Sequence, residues 1–184
     1  LNLITPTHVT KATEFIDQQL ALVRTLKEKG YTYQIDDGIY FDTSKFSTYA
    51  DFAGLDLDAQ KAGARVAYND EKRNPSDFAL WKFTPGSEKR DMGWETPSDL
   101  LKTTNDGEIK MGFPGWHLEC SAMAMDILGN TLDIHTGGID HIPVHHTNEI
   151  AQSESASGVR FSNFWLHNNF VKSNGTKISK SLGN

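Results

Sequence analysis

Cysteine occurs once in the 184 residues, which excludes a disulfide within the chain and makes a reducing cytoplasm the expected location. Long apolar runs are missing too. No stretch approaches the ~20 residues that cross a bilayer, and the opening Leu1-Asn-Leu-Ile-Thr-Pro6 has neither the charged nor the apolar part of a signal peptide. No membrane association is expected. A basic surplus is likewise absent: 18 Lys and Arg stand against 24 Asp and Glu, for a net charge of −6. That argues against a domain dedicated to coating nucleic acid, while leaving room for an enzyme whose nucleic-acid contacts lie elsewhere. Internal repeats and low-complexity tracts do not occur. With 38% hydrophobic residues, the chain reads as one globular domain or a pair of small ones.

From Thr10 to Lys29, apolar residues at Ala12, Phe15, Ile16, Val23 and Leu26 recur near a helical period, and Gly30 is placed as a stop. Tyr31 to Ile35 and Ile39 to Asp42 are β-prone runs around Asp37-Gly38, which predicts a hairpin whose aromatics, Tyr40 among them, belong to core or sheet surface. Tyr49 to Gly63 is small, acidic and irregular, with a short helix at Asp58 to Ala62. Asp77 to Lys82 predicts a strand returning to the main domain. Between Gly86 and Phe113 the composition is that of a loop, with Asn105-Asp106-Gly107 at a turn. Beyond it the pattern predicts a helix from Trp116 to Leu128 ending at Gly129, and a short buried strand from Thr131 to His135. A second helix from His145 to Ser157 has Ile150 and Ala151 as its core side, and a last strand runs from Phe164 to Val171. Helix and strand alternating at these lengths indicate an α/β fold with βαβ units and a parallel sheet.

Chemistry-bearing residues form four groups. Lys177-Ile-Ser-Lys-Ser-Leu-Gly-Asn184 sets two lysines in a Ser/Gly-flanked segment, where Lys177 and Lys180 can act as point charges for the oxygens of a breaking phosphate bond. An isolated pair of this kind is as readily a solvated basic tail. His145 and Glu149 stand at i, i+4, so a helix brings imidazole and carboxylate to one face in a way that suits zinc, and Cys120 can add a thiolate. By spacing alone, a lone Cys such as Cys120 is more often a small buried apolar residue, and the His pair is as easily a polar helix start. Trp116 lies one turn before Cys120 and either floors a pocket or fills the core. Gly137-Gly138-Ile139-Asp140 follows a strand's carboxyl end, where open α/β sheets bind ligands; Asp140 can accept from ribose hydroxyls, although an ordinary turn has the same composition. Asp133, His135 and His117 are weaker candidates.

Lys177 to Ser181 resembles the KMSKS loop of class I aminoacyl-tRNA synthetases, with Ile178 in place of Met. Pro114-Gly-Trp-His-Leu-Glu-Cys-Ser-Ala-Met123, Asp133-Ile-His-Thr-Gly-Gly-Ile-Asp140, His145-His-Thr-Asn-Glu-Ile-Ala-Gln-Ser153 and Trp165-Leu-His-Asn168 follow one another in the order and spacing of cysteinyl-tRNA synthetases. Asn74-Pro-Ser-Asp-Phe-Ala-Leu-Trp-Lys82 is similar to the segment before that block. The resemblance covers nearly the whole chain. It implies that residues 77–184 form the second half of a Rossmann-like nucleotide-binding domain, with flanking helices, ending at the KMSKS-like loop. Residues 1–76 would be a helix plus a connective-peptide-like insertion with the hairpin.

The same resemblance places Cys120, His145 and Glu149 on three zinc-binding positions, the remaining ligand being a cysteine outside this chain. It sets Trp116 beside the bound amino acid and makes Gly137, Gly138, Asp140 and Lys180 an ATP site. Lys177 and Lys180 become the catalytic cations, with Mg2+ on the phosphates. L-cysteine, ATP and tRNA(Cys) are the implied substrates of a monomeric ligase. The HIGH segment and an anticodon region are not found, so the chain is expected to be a central fragment, inactive by itself. Departures are an insertion at Glu95 to Met111, Phe113 where Arg is frequent, Val144 after Pro143, and Thr147 where an acid is common. Two alternatives stay open: a cysteine-activating ligase of mycothiol-type thiol biosynthesis, and a non-catalytic structural or binding fragment.

Overall fold

Helix α1, Ile16–Glu28, follows a 3-10 turn at Ala12–Glu14 and buries Leu20, Leu22, Val23 and Leu26. Gly30 takes a φ of +79°, and the Tyr31 amide donates back to Leu26 O at 2.9 Å, closing the helix end. The computed structural model describes residues 3–56, 69–86, 90–102, 109–173 and 175–178. The expected helix at Asp58 to Ala62, the turn at Asn105-Asp106-Gly107, and Lys180 lie outside the described residues.

The hairpin forms from β1, Thr32–Ile35, and β2, Gly38–Phe41, but Ile35 pairs with Gly38, so the turn is Asp36-Asp37 rather than Asp37-Gly38. Gly38 serves a different need. A Cβ there would lie 2.5 Å from Trp81 O on the neighbouring strand, so the glycine allows close strand approach. That neighbour is β3, Phe78–Phe83, the central strand of a five-stranded antiparallel sheet completed by β4, Trp94–Glu95, and β5, Met111–Pro114, in the order β1-β2-β3-β5-β4. The strand foreseen at Asp77 to Lys82 thus pairs on both sides in this sheet. Part of the Gly86 to Phe113 stretch foreseen as loop becomes strand, β5 by pairing with β3 and β4 by pairing with β5. Trp81 is fully buried and donates from Nε1 to Thr96 Oγ1 at 2.9 Å.

Helix α2, Trp116–Leu128, starts directly after β5 and ends at Gly129, φ +88°. Strands β6, Leu132–Gly138, and β7, Ser162–Asn168, run parallel, joined through α3, Thr147–Ser157. This is the anticipated βαβ unit. Strand β6 differs from the short buried strand foreseen: it is longer, and only Leu132 in it is buried. On one face His135 and Trp165 pack against His146 and Phe52, whereas Ile134, Phe164 and Leu166 on the other face meet solvent. A last hairpin, β8, Lys172–Ser173, and β9, Thr176–Lys177, turns at Gly175. One apolar cluster joins Leu26 of α1, Phe41 and Trp81 of the sheet, Leu118 of α2 and Ala151 of α3. Among the described residues no helix is long and apolar enough to cross a membrane.

Candidate metal and nucleotide site

Gly115 follows β5 and caps α2 in an extended conformation, and a Cβ on it would sit 2.0 Å from Ala79 O. Only glycine lets the chain cross β3 this closely, which sets Trp116 at the head of α2 and Cys120 one turn further on. On the opposite side, Ile142–His146 form a π-helical turn leading into α3, tied by Thr147 Oγ1 donating to Ile142 O at 2.7 Å. Such widened turns recur at functional sites. His145 and Glu149 were foreseen on one continuous helix; His145 instead belongs to the π turn, and both side chains are buried.

The ligand atoms of Cys120, His145 and Glu149 all lie within 4.8 Å of one another. His145 Nε2 is 3.8 Å from Glu149 Oε2, while its Nδ1 is 3.0 Å from His117 Nδ1. The outer ring nitrogen is thereby occupied and the inner one faces the site, the arrangement that orients a metal-binding imidazole. Gln152 Nε2 fixes this neighbourhood from beneath, donating to His117 O and Ser121 Oγ at 2.6 Å each. Glu149 is fully buried and its Oε1 has no hydrogen-bond partner. A carboxylate in that condition, beside a thiol and an imidazole, fits a thiophilic divalent cation.

Electrostatics agree with the geometry. Burial pushes the Cys120 thiol up to about 12, with Glu149 and Glu119 adding to the shift. Burial holds His117 and His146 down at about 3 and lowers His145 as well. The imidazoles are therefore neutral, with lone pairs to give, and the thiol surrenders its proton only in exchange for a cation.

Trp116 does not fill the core. It is 58% exposed, with its ring centroid 4.5 Å from His145 and 5.8 Å from His141, a wall of the site open to solvent. At Gly137 a Cβ would meet His146 Cε1 at 2.5 Å and His141 Nδ1 at 2.9 Å, so this glycine admits two imidazoles. At Gly138 it would meet Asp140 Oδ1 at 2.3 Å. Asp140 is exposed in the 3-10 turn Ile139–His141, and Lys177 has its backbone in β9.

His135 and His117 carry more than their spacing suggested. His135 Nε2 lies 3.0 Å from Glu149 Oε2, and His146 Nδ1 lies 2.8 Å from His167 Nε2. The available signal was density: six of the seven histidines fall between His117 and His167. At Phe113, Arg90 places its guanidinium 3.7 Å from the ring centroid, so a cation reaches this position from another loop.

Residues 1–184 match the family described as tRNA synthetases class I (C) catalytic domain. The chain is 45% identical over 183 residues to a cysteine-tRNA ligase of Treponema denticola, covering 100% of this chain and 35% of that protein. It is 47% identical over 184 residues to cysteine-tRNA ligase 1 of Burkholderia lata, covering 100% and 37% respectively. The cysteine-tRNA ligase of Geobacter metallireducens is also 47% identical over 184 residues, with 100% and 35% covered. The chain spans about a third of the length of the curated relatives it matches.

Proposed function

The chain belongs to the family of class I (C) tRNA synthetase catalytic domains, and from that membership we propose that the protein carrying it activates L-cysteine with ATP and passes the cysteinyl group to tRNA(Cys). The observation that supports this most is the convergence of Cys120, His145 and Glu149 within 4.8 Å beneath the exposed Trp116 ring. A zinc ion held by these three residues would supply a soft cation for the substrate thiolate, which a serine hydroxyl cannot match. His117 and Gln152 keep His145 oriented. Trp116 walls the side chain of the amino acid. Gly138 lets Asp140 fold back at the end of β6, where its carboxylate can accept from ribose hydroxyls. Lys177 and Lys180 would hold the departing phosphates together with Mg2+, so that positioning and charge stabilisation supply the rate without a covalent enzyme intermediate. The reading is of a monomeric enzyme of the cytoplasm.

Cysteine-dependent exchange of pyrophosphate into ATP by the full-length protein tests this reading. Exchange is expected with cysteine and not with serine, and Cys120→Ser is expected to raise KM for cysteine while leaving KM for ATP unchanged. Equal exchange with serine, or a Cys120→Ser enzyme that still selects cysteine normally, overturns it.

A further inference from the structure

Glu149 is claimed by two ligand sets. Besides Cys120 and His145, the ligand atoms of His135 and His146 also lie with Glu149 inside a 4.8 Å envelope, and the five side chains make two overlapping sets rather than one. The geometry points to a second divalent-cation position formed by His135, His146 and Glu149, with Glu149 as the carboxylate common to both positions.

Each donor is held by a different element. His135 projects from β6 with its ring against Trp165 and Phe161. His146 comes from the π turn; its Nδ1 is engaged by His167, which leaves Nε2, 3.8 Å from Glu149 Oε2, as the nitrogen on the carboxylate side. Gly137 provides the space for that ring. Glu149, the carboxylate common to both sets, is fully buried; the imidazoles approach its Oε2, and its Oε1 is unpartnered, which leaves a second oxygen for a cation. Its partners among the described residues are imidazoles alone. A fully buried carboxylate with an oxygen left unpartnered calls for a compensating ligand.

Two imidazoles and one carboxylate, with no thiolate, select a borderline cation such as Zn2+, Co2+ or Ni2+ over Mg2+ or Ca2+, which favour all-oxygen shells. Two cations bridged by one carboxylate are a familiar arrangement in metal sites. The position goes beyond cysteine activation and does not depend on it.

The test strips the full-length protein with a chelator and titrates it with Co2+ alone, following absorption and bound metal. The expected result is a further equivalent of Co2+ showing only d–d bands, separate from the equivalent that carries a thiolate-to-cobalt charge-transfer band. Cys120→Ser should weaken the charge-transfer band and keep the second equivalent. His146→Gln should lose the second equivalent with the charge-transfer band intact, and His135→Gln repeats the measurement should His146→Gln fold poorly. A single equivalent whose spectrum and affinity are the same in His135→Gln and His146→Gln overturns the second position. Because pyrophosphate exchange reads cysteine activation separately, either proposal can fail while the other stands.

Discussion

Glu149 costs the metal-free fold stability, because its carboxylate has no exposed surface and one oxygen without a hydrogen-bond partner. Glu149→Gln removes the charge and keeps the shape, and the amide oxygen can still accept from His135. The expected outcome is opposite in sign for the two states. With chelator present, the variant should gain about 1–3 kcal/mol in urea denaturation, and with zinc present it should lose the metal-dependent rise in midpoint. A variant destabilised equally in both states would show that Glu149 acts through packing and not as a ligand. Tyr49 offers a contrast, since its hydroxyl donates to Asn148 Oδ1 at 2.6 Å beneath the same helix. Tyr49→Phe strands that buried acceptor and should cost about 1–2 kcal/mol with zinc affinity unchanged, measured by denaturation and metal titration side by side.

The β5 to α2 junction shows how one residue places a whole element. A Cβ at Gly115 would be 2.0 Å from a backbone oxygen, which no rotamer change relieves, so Gly115→Ala must displace the start of α2. Thermal denaturation should show a loss on the order of 1–3 kcal/mol. Metal affinity should fall with it, since Trp116 and Cys120 ride on the shifted turn; unchanged affinity would mean that α2 does not position the site. Helix α1, the hairpin, α2 and α3 were legible because helical period, β-prone runs and glycine stops are local signals, although the hairpin turns one residue earlier than Asp37-Gly38 indicated. Strands β4 and β5 were not legible, since Trp94 and Met111 become strand only by pairing across the sheet with residues remote in sequence. Of the site, the i, i+4 relation of His145 and Glu149 is visible in the chain, and the resemblance adds Cys120. The partnerships of His117 with His145 and of His135 with Glu149 are tertiary, and the π turn that aims His145 and His146 has no sequence period of its own.

At the scale of the whole molecule, two burdens follow from how the parts are joined. Burial holds His117 and His146 at about 3 in the fold, against 6.5 for the free side chain. Between those values the unfolded chain binds the extra protons, so stability of the metal-free protein should be flat in these groups above pH 6.5 and fall as pH drops below it, with each proton worth about 1.4 kcal/mol per pH unit. Urea midpoints at pH 7, 6 and 5 check the sign, and a midpoint that holds or rises toward pH 5 contradicts it. The second burden is the uncovered face of the parallel pair. Among the described residues β6 pairs only with β7, and Ile134, Phe164 and Leu166 share one face at 54%, 68% and 54% exposure. Parallel strands are ordinarily covered on both faces, and a contiguous apolar patch with open strand edges invites association. The 184-residue polypeptide made alone should therefore bind the dye ANS and self-associate as its concentration rises. The double substitution Phe164→Ser and Leu166→Ser should reduce both effects while leaving metal uptake intact, because these side chains point away from the face that carries His135. Light scattering and dye fluorescence read the two effects together. A polypeptide that stays monomeric without dye binding would show that this face is covered from within the chain.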